Sequence, residues 1–417
     1  MTTTGQPHSH STRRQAAFIF VFITVVLDMI ALGVTVPVLP KLILDFNSGN
    51  VPEAVQVNAY FAALWAFMQF IFAPLLGALS DRVGRRPIIL LSNLGLGVDY
   101  IFMALAPSLS WLLVGRMISG ITSSSYPTAS AYVADVTPHD QRAGKFGMLG
   151  AAFGIGFIIG PAVGGLLSVI DLRLPFWVAA GFSLANTIYG FFVLPESLPR
   201  ERRARVDWRK ANPIGSLILL RSHPELTSLA IATILMALAH ETLPNMFVLY
   251  SQYRYEWGPG IVGVTLALVG ICSGAVQGGL VGLFVKRFGE RSTMTLGLLA
   301  GAVGFAVFGG ANIGELFLMG IPFIALMGLA GPSIQSLMSR RVQATEQGQL
   351  QGALGSIRGI VGVIGPLLIA PVFKLTAGTN AIVEMPGAVY FFAALLLVVT
   401  LGVTRRATQA QEVLAAD

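Results

Sequence analysis

Apolar runs long enough to cross a bilayer recur along the whole chain, separated by short polar or charged turns. A helix needs about 20 apolar residues to span a ~30 Å hydrocarbon core. On that criterion the runs fall at 16–38, 57–79, 87–106, 109–133, 146–168, 175–194, 226–250, 261–285, 293–312, 316–338, 350–373 and 387–404. The pattern predicts an all-α polytopic membrane protein with twelve transmembrane helices. The longest polar interruption, 195–225, carries Pro195, Pro199, Pro213 and Pro224 and seven basic residues. It reads as a linker between two six-helix bundles, 16–194 and 226–404, with polar tails at 1–15 and 405–417.

The two bundles repeat one another. Gly77, Arg82, Gly84 and Arg86 in the turn after span two recur 205 positions later as Gly282, Arg287, Gly289 and Arg291. The same offset carries Pro127 to Pro332, Gly147 to Gly352, Gly150 to Gly355, Gly154 to Gly359, and Gly160-Pro161 to Gly365-Pro366. One offset serving so many Gly and Pro positions marks two pseudo-symmetric halves, and internal repeats in an apolar chain are a transporter signature.

Composition supports this class. Of 417 residues, 54% are hydrophobic and 11% charged, against about 25% charged in soluble domains; the mean hydropathy is +0.73. The net charge of +7 has a topological cause. With the N-terminus inside, 21 of the 27 Lys and Arg residues fall on the cytoplasmic side, and only Lys41, Arg173, Arg254 and Lys374 on the other. By the positive-inside rule both termini are expected in the cytoplasm, and the excess calls for no nucleic-acid partner. The single cysteine, Cys272, excludes a structural disulfide and a cysteine metal cluster. Neither a metal-ligand cluster nor a phosphate-binding loop is legible, so no metal, cofactor or enzymatic activity is expected.

Ionisable groups at membrane depth cost about 2.5–3.5 kcal/mol on insertion scales, so each is a functional candidate. At a rise of ~1.5 Å per residue, Asp28 in span one, Asp99 in span three and Arg116 in span four reach similar depth. They are expected to share a polar cavity, with a static buried pair as the alternative. His240 and Glu241, beside Pro244 in span seven, offer a second protonation point or else a helix end near water. Arg358 in span eleven reads as a cytoplasmic-half gate or packing residue, with a substrate ligand as the alternative. Tyr126, Phe153, Met236 and Gln335 are further cavity candidates, although core packing is the commoner fate of such residues. Span five carries Gly150, Gly154, Gly156, Gly160, Gly164 and Gly165, small residues at four-residue spacing that let helices approach closely. Gly160-Pro161 and Gly365-Pro366 are the candidate hinges.

These residues carry a resemblance. Gly77-x-x-x-Asp81-Arg82-x-Gly84-Arg85-Arg86 resembles the loop motif of the major facilitator superfamily. Within it the chain is similar to the drug:proton antiporters with twelve spans, particularly the tetracycline efflux group. The similar stretches include Leu27-Asp28-x-x-x-x-Gly33-x-x-x-Pro37-Val38-Leu39-Pro40, Met68-Gln69-Phe70-x-x-Ala73-Pro74, Asp99-Tyr100-Ile101-Phe102-Met103-Ala104, Gly115-Arg116-x-x-x-Gly120 and Gly160-Pro161-Ala162-x-Gly164-Gly165. Similarity continues through Tyr255-Glu256-Trp257, Phe288-Gly289-Glu290-Arg291 and Gln351-Gly352.

The resemblance implies the superfamily fold and proton-coupled efflux of a small amphipathic molecule by a monomer in a bacterial cytoplasmic membrane. The alternative is a proton symporter or facilitator for a metabolite. It further implies that Asp81, Arg82, Arg85 and Arg86, with Gly77 and Gly84, form a cytoplasmic latch whose ionic partner is Asp135. Arg116 would influence a neighbouring acid, while Gln69 and Asp99 would face the substrate path. The chain departs from the group at Ser273, where a His is usual in span eight, and at Ala302, where an Asp is frequent in span nine; His240 and Glu241 are candidates to substitute. Reporter fusions at Thr3 and at Gln411 are expected to report the same, cytoplasmic, side.

Overall fold

A computed structural model describes residues 8–414 apart from 124, 139–140, 204–216, 218, 221–222, 224–225, 344–345 and 379–380. Most of the expected linker, and the outermost residues of both expected tails, lie outside the described residues. Every regular element among the described residues is helical. Among the described residues, ten helical stretches are long and apolar enough to cross a membrane. The difference from twelve arises at two places. Expected spans eight and nine abut in one stretch, Pro259–Gly310, but remain two helices: Gly289, at φ 76° and ψ 166°, breaks the helix between them, and a π-turn at Val276–Leu280 lies inside span eight. Expected span four is divided into Leu109–Thr122 and Ser125–Val136, each too short to count alone.

The chain divides into two compact units: residues 1–38 with 71–211, and residues 39–70 with 212–417. In the first unit, α1 (His8–Thr35) packs chiefly on α7 (Arg142–Ile170) and α8 (Leu174–Val193). The second helix, α2 (Leu39–Phe46), belongs to the other unit, and α3 (Val51–Val83) runs from one to the other. Helices α4 (Arg85–Leu105), α5 (Leu109–Thr122) and α6 (Ser125–Val136) complete the first bundle, with α4 against α8 and α5. Phe18, Val21, Val25 and Met29 of α1 close its core with Ile89, Tyr132, Val133, Leu149 and Ala152.

Lipid supplies no hydrophobic drive between helices, so association depends on close packing. The α1–α7 seam shows it. An added Cβ on Gly33 would stand 2.7 Å from the Gly156 carbonyl and 3.1 Å from the Pro161 ring, while Gly156 abuts Met29 and Gly164 abuts Val34. The helix continues through Pro161. Of the spaced glycines, Gly156, Gly160 and Gly164 thus face α1, the helix that carries Asp28, whereas Gly150 and Gly154 border open space.

In the second unit, α9 (Thr227–Tyr255) packs on α15 (Gln347–Thr376) and α16 (Ala388–Leu414). Between them in sequence lie α10 (Pro259–Ala275), α11 (Val281–Gly310), α12 (Gly314–Met319), α13 (Ile321–Met327) and α14 (Ala330–Ser339). An aromatic cluster fills the core: Phe308 stacks on Phe317 at 3.9 Å and Tyr250 meets Tyr390 edge-on at 4.8 Å. Residues 39–70 join this unit through contacts distant in sequence. The Asn58 amide donates to the Asn245 carbonyl at 3.4 Å, and Lys374 pairs with Glu53 at 3.2 Å.

The repeat reappears as geometry. Gly160 of α7 lies on Gly33 of α1, and Gly365 of α15 lies on Leu238 and Glu241 of α9; Leu238 is Gly33 advanced by the same offset. Gly84 and Gly289 both adopt positive φ, 115° and 76°, with ψ of 160° and 166°, a region that an L side chain rarely enters. Replacing Gly33 with Ala is expected to force the α1–α7 seam apart at a cost of about 1–3 kcal/mol. Thermal unfolding of the purified protein in detergent would show this as a lowered midpoint.

Candidate functional site

The first unit holds Asp28, Asp99 and Arg116 within its spans, the two acids buried and the arginine half-buried. Asp28 is 3% exposed and Asp99 fully buried, on α1 and α4. The Ser125 hydroxyl, at the first turn of α6, donates to Asp28 Oδ2. Asp99 packs on the bare backbone of α5: an added Cβ on Gly115 would stand 2.8 Å from Asp99 Oδ1. Arg116, the next residue, acts electrostatically on Asp99 and Tyr100 and donates to Ser119 Oγ at 3.2 Å. The joining side chain is Tyr100, 1% exposed, which lies within electrostatic reach of Asp28, Asp99 and Arg116 at once.

Sealed carboxylates are costly unless satisfied. Here Asp28 Oδ1, both Asp99 oxygens and the Tyr100 hydroxyl lack a hydrogen-bond partner of full geometry. The two acids are buried and Arg116 is half-buried, and a set with two acids and one guanidinium is short of one positive charge. Binding one proton balances it, and losing that proton unbalances it. Tyr100, Ser119 and Ser125 were not singled out as site residues in the sequence. Only their places beside Asp99 and Arg116 and at the break in span four could have flagged them.

The remaining candidates distribute as follows. Tyr126 is half-buried and meets exposed Phe153 edge-on at 6.5 Å; Phe153 stacks on Phe157. In the second unit, Met236 of α9 touches Gly331 of α14, one turn before Gln335, which donates to Gln351 at 2.8 Å. Gln69 belongs to the second unit. Asp99, grouped with Gln69 on the expected substrate path, has no exposed surface in this conformation. His240 and Glu241 turn apart: His240 is on the exposed face of α9, whereas Glu241 accepts from the Asn245 amide at 3.1 Å and packs on Gly365. Arg358 is exposed. Pro366, like Pro161, lies within an unbroken helix.

The charged turn after α3 is a built bracket. Arg85 is its hub, bonding Asp81 at 2.6 Å, Asp135 at 3.2 Å and the Ser80 hydroxyl at 2.5 Å. Asp135 also accepts from Ser197 at 3.0 Å. Ser80 in turn donates to the Gly77 carbonyl at 2.7 Å. Glu196 accepts from the Arg85 amide at 2.9 Å. Arg86 donates to the Phe191 carbonyl, and Arg82 is exposed.

A polytopic helical bundle with two repeated halves, a charged bracket and acids sealed in its interior is the construction of a secondary transporter. The match to the family model "Major Facilitator Superfamily" covers residues 21–366, and the chain belongs to that superfamily as a multi-pass membrane transporter. Among its relatives, the class C tetracycline resistance protein of Escherichia coli is 36% identical over 91% of this chain and 95% of that protein. The class B protein of Escherichia coli is 34% identical over 84% and 86%. Multidrug resistance protein 2 of Bacillus subtilis is 26% identical over 94% and 95%. Among solved structures, the human organic anion transporter MFSD10 superposes with a TM-score of 0.69 at 22% identity, covering 96% of this chain and 100% of that one. The nucleoside transporter NupG gives 0.75 at 16% identity, covering 94% and 99%.

Replacing Ser125 with Ala leaves both Asp28 oxygens without a donor and is expected to cost about 1–3 kcal/mol. Replacing Tyr100 with Phe removes a hydroxyl that has no partner and is expected to leave the unfolding midpoint unchanged or raised. Thermal unfolding of the two variants side by side checks both.

Proposed function

We propose that the protein exports a small amphipathic, drug-like molecule in exchange for protons, by alternating access. The reading rests on the sealed Asp28–Tyr100–Asp99–Arg116 cluster, whose charge balances only when one proton is bound. Asp28 and Asp99 carry that proton. Arg116 biases which of them holds it, and Tyr100 lies between them. In the first unit half-buried Tyr126 and exposed Phe153 are offered to the cargo; in the second, Met236 and Gln335 are. The names of the tetracycline resistance relatives support a tetracycline-like cargo as the first to be tried. Ser273 and Ala302 stand where that group usually places a His and frequently an Asp, so Glu241 is assigned the corresponding proton step in the second half.

In this reading the protein works as a monomer in a bacterial cytoplasmic membrane with both termini inside, and it catalyses no covalent reaction. Gly160-Pro161 and Gly365-Pro366 act as hinges, and the bracket of Gly77, Asp81, Arg82, Gly84, Arg85, Arg86 and Asp135 as the cytoplasmic latch. One charge moving down 100 mV supplies about 2.3 kcal/mol, enough for a roughly 50-fold gradient of cargo before any pH difference adds to it.

Energised everted vesicles are expected to take up tetracycline and release protons as they do so. Asp28→Asn and Asp99→Asn should each abolish the uptake while leaving the protein folded. Uptake that survives both substitutions, or that persists with an uncoupler, would exclude proton antiport through this cluster.

A further inference from the structure

The ion-paired core of the bracket at Arg85 has a counterpart in the second unit with its charges reversed, while Arg82 and Arg86 recur as Arg287 and Arg291 with theirs kept. Advanced by the repeat offset, Asp81, Arg85 and Asp135 become Lys286, Glu290 and Arg340. The central ion pair survives the reversal: Arg85 bonds Asp135 at 3.2 Å, and Arg340 bonds Glu290 at 2.6 Å. Each pair ties the same two elements of its half, the helix that follows the positive-φ glycine and the end of the next long span.

Reversal changes how the charges meet the helix ends. A helix N-terminus favours a negative group and a C-terminus a positive one. Glu290 follows Gly289 at a helix start, and Arg340 closes α14 at its C-terminus. Both suit their ends. Arg85 follows Gly84 at the start of α4, and Asp135 lies in the last turn of α6. Both oppose theirs. The negative charge that Glu290 supplies to its own helix has to be imported in the first unit, where Glu196 accepts the Arg85 amide at 2.9 Å.

We propose that the two brackets differ in kind. The first is a conditional clamp, in which each charge is tolerable only while its partner and Glu196 are in place. The second is a standing brace, in which each charge is favoured by its own helix even alone. This assigns Glu196, Glu290 and Arg340 to the gating machinery and makes the first unit the one whose bracket can release.

Double substitutions test it, read as thermal midpoints of the full-length protein in detergent. Arg85→Gln should lower the midpoint, and adding Asp135→Asn should raise it again by about 1–2 °C, because the stranded acid is removed from a C-terminus. Glu290→Gln should also lower it, but adding Arg340→Gln should lower it further. A second substitution that moves the midpoint in the same direction in both units would overturn the proposal. Should Arg85→Gln fail to fold, a transplant of polarity decides instead. Glu196→Gln alone should lower the midpoint. Adding Asp81→Lys, Arg85→Glu and Asp135→Arg to it should restore the parent's value, and a midpoint below that of Glu196→Gln alone would refute the inference.

Discussion

Carboxylates that the fold seals away from water govern the rest of this molecule. Asp28 and Asp99 lie in an apolar bundle where an uncompensated charge is expensive, and the packing around them is what keeps them sealed. The glycines of α7 bring its backbone against α1, leaving Asp28 no route to solvent along that seam. Gly115 does the same for Asp99 from α5. Small residues here are therefore part of the electrostatics: by allowing backbones to touch, they set the dielectric in which the acids titrate. Tyr100 completes the seal, a large side chain with a polar tip placed among three ionisable groups.

The two halves share a frame and differ in what they hang on it. Equivalent glycines take the same backbone region at Gly84 and Gly289, and equivalent helices meet at Gly160 and Gly365. The first half adds the acid–tyrosine–arginine cluster. The second adds the aromatic core around Tyr250, Tyr390 and Phe317, and one acid, Glu241, whose neighbours are an amide and a glycine. A common scaffold is thus filled unequally in the two halves.

Much of this was legible in the sequence because the membrane constrains it so tightly. Span positions followed from apolar length, and the repeat from Gly and Pro identities at one offset. Asp28, Asp99 and Arg116 stood out because charge at that depth is rare. The missing parts have identifiable causes. The break in span four and the π-turn at Val276–Leu280 depend on local helix geometry that apolar composition does not encode. Ser125 and Tyr100 are ordinary residues in such a chain, and only tertiary contact gives them a role. The grouping of residues 39–70 with 212–417 rests on contacts such as Asn58 with Asn245, whose partners are far apart in sequence. The second bracket stayed hidden because matching by identity finds Gly and Arg but passes over Glu290 and Arg340, where the position is kept and the sign inverted.

That inversion bears on how the chain assembles. Two homologous halves inserting in turn could trade equivalent helices, a characteristic failure of repeated folds. If the helix starting at Glu290 took the place of the one starting at Arg85, it would set Glu290 against Asp135. The reciprocal exchange would set Arg85 against Arg340. Both mismatches bring like charges together, so opposite polarity gives each half an electrostatic key that fits its own lock and rejects its twin's.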